Sequence, residues 1–153
     1  MRKILAFFLL FFTIFSMLSC TKIPDAAEML SEFKELYSAG GTVYTSTAKE
    51  GDSGYISSEL FRKIYILDGD VPEEFAVLLN YHADYGAECG VFISQSSYER
   101  ERIIEMCTER IRLLSRGSEN VFITVAGPIV FYSAMPDRAR AEIIWRKILD
   151  AHT

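Results

Sequence analysis

Two segments of the chain each read as a pair of short strands followed by a helix, and this order restricts the sheets it can build. Phe75–His82 is an apolar run rich in β-formers, and "ADYGAE", Ala83–Glu88, holds a reversal in which Gly86 takes a positive φ at little cost. Glu88–Ser94 alternates and stops at Ser96-Ser97, a pair suited to capping a helix. Tyr98–Leu114 then repeats apolar residues at helical spacing, with Ile103, Ile104, Cys107, Ile111 and Leu114 on one face. In the second segment, "NVFITVAGPIVFYSA", Asn120–Ala134, reads as two strands reversing at Ala126-Gly127-Pro128. A helix over Asp137–Leu149 follows, with Ala141, Ile144, Trp145 and Ile148 facing in. Parallel neighbours need a crossover between them, and no βαβ alternation is present. Hairpins followed by helices give an antiparallel sheet.

Two more helices precede these segments. Pro24-Asp25 opens the first, Met29, Leu30, Phe33, Leu36 and Tyr37 give its apolar stripe, and Gly40-Gly41 ends it. "TVYTSTAKEGDSG", Thr42–Gly54, reads as a loop or weak ribbon. Ser57 or Ser58 caps the second helix, whose apolar face is Leu60, Phe61, Ile64 and Tyr65. The expected fold is α+β: a four-stranded antiparallel sheet covered by helices on one face, in the order α-α-ββα-ββα.

The N-terminus gives an address. Arg2 and Lys3 precede the apolar run Ile4–Phe15, broken only by Thr13, which is the layout of a secretory signal. Ile4–Ser19 is short of the roughly 20 apolar residues that span a bilayer. Met17-Leu18-Ser19-Cys20 resembles a bacterial lipobox, with Ser19 the small residue before the cut and Cys20 the acceptor of a diacylglyceryl group. Two acyl chains hold a membrane firmly where one does not. The expected organisation is a signal peptide over 1–19, a lipidated tether over 20–23 and a single α+β domain over 24–153. Its expected place is the extracytoplasmic face of the cell membrane.

Composition narrows the partners. The chain is 50% hydrophobic and 24% charged, and loss of Arg2 and Lys3 takes its formal charge from −5 to −7. So acidic a domain is a poor match to nucleic acid or an anionic lipid surface. Besides Cys20, only Cys89 and Cys107 are available, too few for a disulfide framework or a structural zinc site. Both are expected to face the core, either as one disulfide of an oxidising exterior or as two buried thiols acting as small hydrophobes.

Candidate chemistry is sparse, and no cofactor is expected. His82, with Asp84 as orienter, has the types of a base pair, but no nucleophile motif accompanies it. The bland alternative is a strand end where His and Tyr tips reach water. His152 is next to last and expected to fray. Glu50, Asp52 and Ser53 offer oxygens without the spacing of a calcium loop. Glu73 and Glu74 are neighbours in an extended segment and so point apart. "YERERIIEMCTERIR", Tyr98–Arg112, is read as a solvated face, with a partner-docking surface as the alternative; Arg102 and Arg110 offset Glu105, and Arg112 offsets Glu109. "AGPI", Ala126–Ile129, is a hairpin turn, not a phosphate loop.

The passage "AECGVFISQSSYERERIIEMCTERI", Ala87–Ile111, the strand "GPIVFYSAM", Gly127–Met135, the helix after it and the lipobox together resemble an uncharacterised family of small lipoproteins from Firmicutes of Clostridia type, a domain of unknown function. The likeness covers roughly Leu60–Leu149. It implies an extracytoplasmic lipoprotein and brings no activity, cofactor or catalytic residue. The reading is therefore a non-catalytic binding or interaction module with an envelope protein partner. The alternatives are a ligand-binding accessory for uptake or sensing, with a pocket lined by aromatics such as Tyr44, Tyr55, Tyr81 or Tyr85, and an envelope hydrolase.

Overall fold

The computed structural model describes residues 25–80, 87–115 and 119–152. The elements are α1 (Ala26–Tyr37), β1 (Thr42–Thr45), α2 (Ser58–Tyr65), β2 (Glu74–Leu79), β3 (Glu88–Ile93), α3 (Ser97–Ser115), β4 (Phe122–Ala126), β5 (Ile129–Ser133) and α4 (Arg138–His152). The signal, Cys20 and the reversal at Gly86 lie outside the described residues. Among those described, no helix is long and apolar enough to cross a membrane.

The sheet is antiparallel throughout, in the order β1-β2-β3-β5-β4. It has five strands, not the expected four. The added strand is β1, inside the Thr-rich stretch read as a loop or weak ribbon. It pairs from Thr42↔Leu79 to Thr45↔Ala76. Four residues, two of them threonines, are too short a run to carry a visible period. On its outer side the Thr45 N–H donates to the Gly54 carbonyl at 3.0 Å, so the loop after β1 closes that edge.

A second correction concerns the layers. Helices cover both faces of the sheet, not one. Met29, Leu30 and Phe33 of α1, with Ala141, Trp145 and Ile148 of α4, bury one face against Leu78, Cys89, Val91, Ile93 and Phe131. Phe61 and Tyr65 of α2, with Ile103, Met106 and Cys107 of α3, bury the other against Val77, Phe92, Val130 and Tyr132. Successive strand residues therefore alternate between two cores, and β5 is buried at every position. Strands of this kind read as continuous apolar runs, as "FAVLL" and "IVFY" do. In the first core the rings of Phe131 and Trp145 stack at 3.9 Å.

The helix ends follow local chemistry. Asp25 N-caps α1, accepting from the Ala27 and Glu28 amides. The Glu74 carboxylate also accepts from the Ala26 amide at 3.2 Å, tying β2 to that helix start. The stop precedes the expected Gly40-Gly41. Ser38 turns left-handed at φ 60°, while the Ser38 and Ala39 amides donate to Glu35 and Lys34 carbonyls. Ser57 caps α2, and Leu60, expected on its apolar face, is 47% exposed. Ser96 accepts from the Glu99 amide to cap α3, and the Glu99 carboxylate returns to the Gln95 amide. Asp137 caps α4 by accepting from Arg140.

Candidate functional site

Buried charge is concentrated at one place. Glu88 opens β3 on the face toward α2 and α3, and it is 5% exposed. An isolated carboxylate there would be costly, and neutralising partners are required. Arg110, one turn from the end of α3, supplies them: its Nε donates to Oε1 at 2.8 Å and its Nη2 to Oε2 at 2.6 Å. Nη1 of the same guanidinium donates to the Ile64 carbonyl at 2.9 Å, in the last turn of α2, where carbonyls lack helical partners. The Tyr132 hydroxyl, on β5, donates to Glu88 Oε1. The Tyr65 hydroxyl lies 2.6 Å from that of Tyr132, which leaves the Tyr132 oxygen to accept. The Arg110 guanidinium also sits 5.7 Å from the centroid of the Tyr65 ring.

Each titration follows from these positions. Burial pushes the Tyr132 and Tyr65 hydroxyls well above the usual tyrosine range, and the Glu88 charge adds to it. Burial works against the Arg110 charge, but its bonds and attraction to Glu88 outweigh this and hold it above the ordinary arginine value. The cluster is thus a neutral pair of phenols beside a fixed ion pair. It ties together α2, α3, β3 and β5. Gly90 makes room for it: a Cβ there would stand 2.7 Å from Tyr132 Cε1.

The sequence-read residues fall elsewhere. His82, Asp84, Tyr81 and Tyr85 lie outside the described residues, as does Cys20. Cys89 and Cys107 are free and buried, in the cores on opposite faces of the sheet. Two separate buried thiols are the arrangement the fold presents. Burial, then the charge of Glu88, raises both thiols well above their usual value, so they are not reactive thiolates. Asp52 accepts from the Lys49 amide in a turn. Among the described residues no three His, Cys, Asp or Glu side chains gather as metal ligands. Tyr44 packs on the second core and Tyr55 is 37% exposed. His152 bonds Glu32 at 3.0 Å, anchoring the end of α4 to α1 where fraying was expected. Arg112 pairs with Glu109 as read, whereas Arg110 turns inward.

A cleft of about 190 Å³ opens between the turn before β2 and α3. Leu67, Val71, Ile103 and Met106 line its apolar part, and Asp70, Glu73, Glu99 and Arg102 its polar part.

Glu88, Arg110, Tyr65 and Tyr132 were not singled out from the sequence. The available signal was the period of β3: with Cys89, Val91 and Ile93 on one face, Glu88 must share the other with Phe92.

Comparison with family models, with curated proteins and with solved structures finds no match to this chain.

Proposed function

We propose that this protein is an extracytoplasmic lipoprotein, held in the cell membrane by lipid on Cys20, whose single α+β domain is a non-catalytic binding module for an envelope protein. The family likeness carried by Ala87–Ile111 and Gly127–Met135 belongs to this proposal. The observation that favours a non-catalytic role over a hydrolase is the closure of the Glu88 cluster. Arg110 and Tyr132 occupy its carboxylate and Tyr65 occupies Tyr132, so this buried ion pair and its two phenols serve packing. The test is cross-linking in cells of the tagged full chain, with Cys20→Ser as control, followed by mass spectrometry. A protein recovered with the wild type and lost with Cys20→Ser is the expected result. Equal recovery from both chains would remove the anchor from the proposal.

The cleft favours a second reading, a small-ligand accessory. Its 190 Å³ lies below the roughly 300 Å³ at which drug-sized ligand pockets begin, which limits it to a small group or one side chain of a partner. A thermal-shift screen in which Arg102→Ala abolishes a ligand's effect would promote this reading over the first.

A further inference from the structure

The two edges of the sheet are treated differently. At β1 the outward Thr45 N–H is taken by Gly54. At β4 no described residue closes the edge. Ala126 and Ile129 flank a two-residue turn and pair directly. They therefore exchange hydrogen bonds, as do Thr124 with Phe131 and Phe122 with Ser133. Ile123 and Val125 then point their N–H and C=O groups away from the sheet. No described residue bonds these groups beyond β4. The strand "FITVA" holds no charge, no proline and no bulge, the usual guards of an exposed edge. Val125 is 45% exposed.

We infer that this edge pairs with β4 of a second copy of the chain, antiparallel about Thr124, to make one continuous ten-stranded sheet from the two five-stranded ones. The strand is self-complementary in that register. Ile123 meets Val125 of the second copy, and Val125 meets its Ile123, as hydrogen-bonded pairs that use the four outward groups of each strand. The exposed Val125 side chain gains an Ile neighbour, and Thr124 stands against Thr124, a favourable cross-strand pair. The match is isologous: one register sets Ile123 against Val125 twice and Thr124 against itself, so a second copy of the chain satisfies the edge by itself. The inference rests on the edge geometry and is independent of the lipid anchor.

The test uses the full chain with Cys20→Ser, so that it does not depend on the lipid anchor and no Cys20 thiol adds to the background. Thr124→Cys places two thiols on the axis, where facing Cα atoms in a pair without mutual hydrogen bonds are about 4.5 Å apart, within disulfide reach. Cys89 and Cys107 are fully buried and serve as internal background. Under mild oxidation Thr124→Cys should give a dimer band that Tyr98→Cys, at a 71% exposed position elsewhere, does not. Adding Val125→Pro removes an outward donor and no β4–β5 bond, and adding Val125→Lys sets a charge against Ile123. Either should abolish the band. No dimer, or equal dimer from Tyr98→Cys, overturns the proposal. Cross-linking of Thr124→Cys to a different protein overturns the second copy as occupant.

Discussion

The Glu88 carboxylate and the Arg110 guanidinium meet in a two-bond fork, at 2.8 and 2.6 Å, beneath the end of α2. Geometry of this kind holds two planes as well as two charges. Because Arg110 also reaches the Ile64 carbonyl, one side chain of α3 secures both β3 and α2.

Arg110→Met should therefore be among the most damaging substitutions in the domain. It leaves Glu88 buried without its counter-charge, a loss of about 3–5 kcal/mol. Adding Glu88→Leu removes the orphaned charge, and the double variant should recover much of that loss. Urea unfolding of the two variants against wild type measures it. A double variant no more stable than Arg110→Met would show that the pair does not act as a unit.

Gly90→Ala tests the notch under Tyr132. The added methyl meets Tyr132, Phe92 and Val77 at 2.7 to 3.1 Å, and Gly90 faces Tyr132 across the β3–β5 ladder. Overpacking of this kind costs about 1–3 kcal/mol. The same substitution at Gly51, where the surroundings are open but φ is 102°, probes backbone strain without any packing change.

Ile66 ends α2 in the left-handed region at φ 50°, and it is 67% exposed. A β-branched residue is poorly suited to that conformation, and little burial compensates. Ile66→Gly should raise stability by about 1 kcal/mol, read as a higher urea midpoint with an unchanged slope. A lower midpoint would mean that the Ile66 side chain makes a contact worth more than its strain.

Alkaline pH should destabilise the fold. Burial, then Glu88, raises Cys89, Cys107, Tyr65 and Tyr132, so all four stay neutral in the fold where the unfolded chain ionises. Unfolded thiols titrate near about 8.5 and tyrosines near about 10. Above those values the unfolded state binds fewer protons, so stability is complete below about pH 8.5 and falls as pH rises. The two thiols together give a slope of up to about 2.7 kcal/mol per pH unit. Unfolding curves between about pH 7.5 and 10 check the slope; Cys107→Ala should reduce it, and a flat profile would mean the thiols ionise inside the fold.

What was legible in the sequence follows from which signals are local. Asp25, Ser57 and Ser96 announce helix starts because a cap is made within three residues. The turn at Gly127-Pro128 is equally local. The apolar residues of β2, β3 and β5 mark strands, but a run that is apolar at every position does not say how many layers cover it. β1 was missed because its evidence is its partner, β2, and not its own pattern. The cluster was hidden for a related reason. Arg110 stands among six other charged residues between Glu99 and Glu109, and only the approach of β3 distinguishes it from them. Cys89 and Cys107 each read correctly as core residues, while the side of the sheet that each would occupy was not available.

The continuous burial of β5 has a consequence for how the strands find their alignment. Where one face of a sheet is wet, a slip of one residue exposes apolar side chains and is rejected. Between β3 and β5 both faces are dry, and a slipped "IVFYS" would still be buried. Hydrophobicity alone is indifferent to the choice. Polar fit and shape are not: only the native offset puts the Tyr132 hydroxyl on Glu88 and its ring over the missing side chain of Gly90. The ion-paired carboxylate then acts as an indexing pin, selecting one alignment among several that would be equally greasy.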